Sequence, residues 1–371
     1  MKNRDLQLDI FRGLAIFSVV LGHIDTGLKG QLIYLFHMPF FFVISGYFHR
    51  VDEQEGRYFR RKCISLLLPY FVYLVILKGP PIRELFGVVV ENPSVGSLLN
   101  FLHYMGRLIY GGEWLTGYVG VFWFVTCLFL TQQLYNFVSL RVRSQKMVLA
   151  IAAVTYLCVG IEQVIVPESL QFPWNANVVL CSFLFYVVGS VYGHALFKSS
   201  NRKVIFGAFV ISAISAVMME AGFELSFVMK DAYYGFFILS PLASLSLMKV
   251  IAVVSNWLMQ IPIVAKVIAS VGLSSLTVMF FHRTVEYTLP DFFFKWPSVL
   301  TAVVITGVCW VTHWLLSTTT LSRALFLGSR SDVRRLIGLF NFRRNRFSAV
   351  ENIEKQTRTV LNLPREEQQE G

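Results

Sequence analysis

Ten apolar runs, each long enough to cross a hydrocarbon layer about 30 Å thick, limit the folds open to this chain more than any other feature. They fall at about 10–25, 32–48, 63–79, 118–138, 147–166, 176–197, 203–221, 233–254, 268–289 and 298–320. Charged residues are 15% of the 371, against roughly a quarter in a soluble domain, and they cluster between the runs. A water-soluble core cannot hide that much apolar surface. Mean hydropathy is +0.58, so the bilayer is the natural solvent, and each run is expected to be a helix that satisfies its own backbone. The expected fold is an all-α, polytopic integral membrane protein with about ten transmembrane helices.

The connecting charges give the orientation. Lys2 and Arg4 precede the first run, and Arg50, Arg57, Arg60, Arg61 and Lys62 follow the second. Arg141, Arg143 and Lys146 follow the fourth; Lys198, Arg202 and Lys203 follow the sixth. A string of arginines from Arg323 to Arg346 follows the tenth, while only Lys249 and Lys266 mark the eighth boundary. The opposite connections are poorer in positive charge, and 167–175 has none. By the positive-inside rule both termini are expected to be cytoplasmic (N-in and C-in), in a multi-pass protein expected in an inner (cytoplasmic) membrane. The same rule accounts for the net charge of +11 without nucleic acid as a partner. No cleavable signal peptide precedes the first run, which is expected to stay as a helix. The long outer connection, roughly 80–117 with Pro80-Pro81 and Pro93, is expected at the interface or dipping into the membrane. From 328 onward the chain is basic and then acidic, the pattern of a flexible cytoplasmic tail.

Within the first run, Asp9, Arg12 and His23 interrupt an otherwise apolar segment. Eleven helical steps bring His23 back to the azimuth of Arg12, roughly 16 Å along the axis, and Asp9 lies one turn from Arg12 on the same side. Two readings fit: a polar stripe facing a cavity, or side chains at the two interfaces. The second run carries His37 just before Pro39, as a base facing a cavity or as a structural histidine bonded to a neighbouring helix. The five cysteines show no paired spacing and read as small buried apolar residues. No GxGxxG, Walker, HExxH or CxxC pattern is present, so no metal site is expected.

Arg12, ten intervening residues and His23 form an R-x10-H pattern, and 36–48 reads FHMPFFFVISGYF. Further blocks follow in order: LLLPY (66–70), GVFWFVTCLF (120–129), FYVVG (185–189) and SVGLSSLTVMFFH (270–282). Together they resemble the acyltransferase 3 family, in particular its fucose 4-O-acetylase-like branch, over about 8–320. The resemblance implies a transmembrane acyltransferase domain over 1–327, with the tail at 328–371 outside it. It also implies acetyl-CoA, or another acyl-CoA, as donor substrate, with no permanently bound cofactor. The implied acceptor is an envelope carbohydrate or lipid-linked sugar, and membrane lipids surround the protein. His23 would be the catalytic histidine and Arg12 its partner on the donor side. An R-x-x-R motif is common before the third span; Arg57 and Arg60 have that spacing, with Arg61 adjacent, but lie further from Pro69 than the pattern has them.

Acyl transfer to a hydroxyl needs a base and a group that steadies the oxyanion, and neutral imidazole is a good base. His23 and His37 are the candidate bases, with Asp9 a third catalytic candidate that orients or pairs with Arg12. Arg12, Arg57, Arg60 and Arg61 are candidates for the donor phosphates. Trp123, Glu113 and His282 are candidates for acceptor contact, although belt packing, a solvated loop and a helix end are the plainer roles for them. The competing function is a transporter or flippase of an envelope lipid or sugar, with the same ionisable stripe lining its path.

Overall fold

The computed structural model describes residues 5–25, 27–167 and 170–339. Its first two helices are α1 (Leu6–Ile24) and α2 (Leu28–Tyr47). A long rod follows: α3 (Glu55–Lys62), a π turn (Cys63–Leu67) and α4 (Leu68–Glu91), which returns as α5 (Val95–Tyr110). Next come α6 (Trp123–Arg141), α7 (Gln145–Ile165), α8 (Val179–Lys198), α9 (Arg202–Glu220) and α10 (Leu239–Leu258). The chain continues through α11 (Pro262–Leu273), α12 (Ser275–Thr288), α13 (Ser298–Leu316) and α14 (Thr320–Phe326). Among the described residues nine helical segments are long and apolar enough to cross a membrane, and α11 with α12 makes a tenth if counted as one bent span. The protein is a polytopic all-α membrane protein.

Glycines set the closest helix contacts. A Cβ on Gly46 would strike the Tyr186 carbonyl, and one on Gly189 would strike that of Val43, so α2 and α8 cross backbone to backbone. In the same way Gly13 meets the Ile268 carbonyl and Gly272 meets that of Asp9, locking α1 against α11. These two crossings hold α1 and α2 at the centre of the bundle.

Several features differ from the sequence expectation. The segment 268–289 is not one straight span: it bends by 79° at Ser274, whose hydroxyl donates to the Val271 carbonyl at 2.7 Å and so competes with helix continuation. The third span does not end at 79, because α4 runs through Pro80-Pro81 to Glu91, and a Ser94–Ser97 capping box then starts α5. Upstream, the π turn widens the rod just before Pro69, where the pyrrolidine ring would otherwise meet the carbonyl one turn earlier. Lys249 is no loop charge; it is buried, and its ammonium donates to the Leu196 and Ser199 carbonyls at 3.0 and 2.6 Å, capping α8. Residues 330–339 are helical, and Asp332 accepts from Arg323 at 2.9 Å, so the first part of the expected tail packs onto the bundle. The remainder, 340–371, lies outside the described residues, as do Lys2 and Arg4.

Candidate functional site

Two cavities open at opposite ends of α1. On the side poor in arginine, a pocket of about 270 Å³ is lined by His23 of α1, by Tyr34 and His37 of α2, and by Trp123. Lys230 and Asp231 from the loop before α10, and Arg283 and Tyr287 of α12, complete its wall. The bend at Ser274 turns α12 so that the His282 ring lies 5.2 Å from that of His23. The Tyr34 hydroxyl is 3.3 Å from Nδ1 of His23.

Hydrogen bonds fix two tautomers here. Nδ1 of His37 is 2.8 Å from the Ile33 carbonyl, and Nδ1 of His282 is 2.7 Å from that of Val278. A carbonyl only accepts, so both Nδ1 atoms carry the proton and both Nε2 atoms keep a lone pair. For His282 that Nε2 is buried without a partner among the described residues. The pocket therefore gathers imidazole bases beside Lys230, Arg283 and Tyr34, which donate hydrogen bonds.

On the arginine-rich side, a chamber of about 750 Å³ is lined by six cations: Arg12, Arg50, Arg57, Arg61, Lys62 and Arg330. Arg12 pairs with Asp9 at 3.6 Å and lies over the Phe48 ring at 4.7 Å. Asp52 receives Arg57 at 2.8 Å and Arg61 at 2.9 Å, and the hydrogen bond from Arg57 holds its carboxyl below the usual range. Asn136 of α6 clamps the backbone of Asp52, accepting from its N–H at 2.9 Å and donating to its carbonyl at 3.2 Å. His49 lines the same chamber beside Tyr186, and burial, followed by Lys62, pushes its pKa down to about 4. Such a site suits a flexible ligand with several phosphate charges.

The sequence candidates divide between these sites. His23, His37 and Trp123 share the smaller pocket, with His282 against its back. Arg12, Arg57 and Arg61 share the chamber, whereas Arg60 is exposed and bonds the Gly56 carbonyl at 3.4 Å. Asp9 stands beside Arg12, fourteen residues before His23 on α1, so it belongs to the chamber end and not to the histidine cluster. Glu113 lies in a third cavity of about 530 Å³ with Glu162 and Asn177; burial, then Asp231, raises its pKa. That cavity adjoins the histidine pocket through Asp231, which lines both. Sequence reading passed over Tyr34, Lys230, His49 and Gln132, and gave Arg283 no role in the site. For Tyr34 a signal existed, since it stands one turn before His37. Among the described residues no group of three or more His, Cys, Asp or Glu side chains is placed to hold a metal ion.

Comparison with known proteins adds two matches. The family model described as Acyltransferase domain matches residues 5–317. Nodulation protein NolL from Sinorhizobium fredii (strain NBRC 101917 / NGR234) is 23% identical over 217 residues, covering 54% of this chain. The chain spans about half the length of that curated relative, 52%. No solved structure matches significantly.

Proposed function

The chain belongs to the Acyltransferase domain family, and from that premise we propose that it is a membrane-bound O-acyltransferase. It moves an acyl group, acetyl in the simplest case, from cytoplasmic acyl-CoA to a hydroxyl of a bacterial envelope sugar. The observation that carries this reading is the division of labour along α1: a six-cation chamber at Arg12 and an imidazole pocket at His23. Arg12, Arg57 and Arg61 meet the donor phosphates, with planar guanidinium groups suited to them. The positive-inside rule makes that side cytoplasmic, where acyl-CoA is made, and the cytoplasmic membrane the host.

At the other end His23 takes the proton of the acceptor hydroxyl, and the oxygen attacks the thioester carbonyl. Lys230, Arg283 and the Tyr34 hydroxyl line the same pocket and are the donors assigned to steady the oxyanion. When it collapses, the C–S bond breaks and the thiolate of CoA leaves, receiving the proton from the His23 imidazolium. His37, locked with its Nε2 lone pair free to accept, holds the acceptor or relays the proton. Trp123, Tyr34 and Tyr287 offer aromatic faces to a sugar ring, and the adjoining cavity with Glu113 extends the polar surface.

Reconstituted protein, labelled acetyl-CoA and an envelope carbohydrate fraction test this directly. Alkali-labile label should appear in the carbohydrate and vanish with His23→Ala. A protein that binds no acyl-CoA but carries a lipid-linked sugar across liposomes would instead be a transporter.

A further inference from the structure

Within the basic chamber one amide side chain stands among the charged groups. Gln132 of α6 lines the chamber, is 5% exposed, and neither end of its amide has a hydrogen-bond partner among the described residues. One turn nearer the arginine-rich surface, Asn136 spends both ends of its amide on the backbone of Asp52. Its Oε1 is a buried carbonyl oxygen with no bond made, an unfavourable state, so Gln132 is placed to meet a ligand. Its depth says which part of a ligand. Gln132 lies nine residues after Trp123 of the histidine pocket and nine before Arg141 at the basic end, about 13 Å from each along the axis. Ser45 of α2 lines the chamber as well, on a helix whose His37 lies eight residues earlier in the other cavity. The cations Arg50, Arg57 and Arg61 belong to the connection and short helix beyond α2, at the mouth.

We propose that Gln132 is a donor-recognition residue that reads the amide-bearing pantetheine arm of a CoA thioester, between the phosphates at the mouth and the acyl group near His23. A primary amide both donates and accepts, which matches the N–H and C=O of the secondary amides in that arm. Phosphates would gain nothing from its carbonyl. The proposal rests on the acyl-CoA reading above and assigns to Gln132 the amide-bearing arm of that donor.

The test uses full-length protein purified in detergent and two probes: coenzyme A, and adenosine 3′,5′-bisphosphate, which keeps nucleotide phosphates but has no arm. Gln132→Leu should weaken coenzyme A binding about tenfold, the worth of one buried hydrogen bond, and leave the bisphosphate unchanged. Gln132→Met, close to glutamine in length, gives the same pattern and serves if the leucine variant fails to fold, as judged by gel filtration. Equal weakening of both probes, or none of either, overturns the proposal. Wild-type protein that binds both probes equally well also overturns it but leaves the acyl-CoA reading standing; binding of neither removes both.

Discussion

Arg12 and His23 share one stripe of α1, yet they open into different cavities, Arg12 into the six-cation chamber and His23 into the imidazole pocket. α2 also reaches both cavities, through Ser45 and His37, and α6 does so through Gln132 and Trp123. Phe41 and Phe42 of α2 pack on Phe124 of α6 at 5.7 and 5.3 Å. Binding and chemistry are therefore separable by mutation.

His23→Ala removes the proposed base and leaves the chamber untouched. Acyl transfer should fall by about 10²–10⁴-fold while the Kd for acyl-CoA stays at the wild-type value. Product measured by mass spectrometry and binding by calorimetry give the two numbers. Transfer within a few-fold of wild type would remove His23 from the mechanism.

Gly46 and Gly189 face backbone carbonyls where α2 meets α8. Gly189→Ala should force those helices apart and cost roughly 1–3 kcal/mol, read as a lower unfolding temperature in detergent. Around Gly207 in α9 an added methyl would find nothing within 4 Å, so Gly207→Ala should be neutral or stabilising. If both variants behave alike, close packing does not explain Gly189.

Much of this arrangement was legible from the chain. Arg12 and His23 fall on one stripe because helical periodicity is fixed, and a run too apolar for water announces a span. What escaped depends on tertiary contact. Gly272, Ser274 and Ser275 interrupt a run that is still apolar enough to span, and that run alone does not show the bend that brings His282 to His23. His49 is in a short connection, and only the packing of Tyr186 and Tyr58 gives it a setting. Gln132 reads as one of several polar residues of α6, between Thr131 and Gln133, until its unpartnered Oε1 is seen. Lys249 reads as a loop charge because the sequence does not show which carbonyls lie near it. Pro80-Pro81 reads as a stop, although a helix that loses those N–H groups can continue when its other bonds hold.

Acid should destabilise the fold through His49. Burial holds its folded pKa near 4, while an unfolded histidine titrates near about 6.5. Above that value both states are neutral and His49 contributes nothing. As pH falls from about 6.5 towards 4, the unfolded chain takes up the proton and the folded protein does not, so stability drops across that window. His49→Gln should flatten the dependence of unfolding temperature on pH there. An unchanged slope would mean that His49 is protonated in the fold.

Arg60 is exposed at the arginine-rich end and Glu113 lies at the other. In intact cells an impermeant thiol reagent should label Glu113→Cys and not Arg60→Cys. The reverse pattern would invert the proposed orientation and move the chamber away from cytoplasmic acyl-CoA.

The chamber's use of Arg12 can be separated from its charge. Arg12→Lys keeps a cation at the end of α1 but loses the planar fork and the contact over Phe48, so acyl-CoA binding should weaken by about tenfold or more. Arg12→Ala should weaken it further and also remove the contact between Arg12 and Asp9. Because Arg57, Arg61 and Arg330 remain, binding by either variant should still fall with rising salt, as it does for wild type. Affinity that is equal in wild type and both variants would show that Arg12 serves Asp9 and the fold alone. If affinity is lost together with all salt dependence, the chamber has collapsed, which a measured unfolding temperature would reveal.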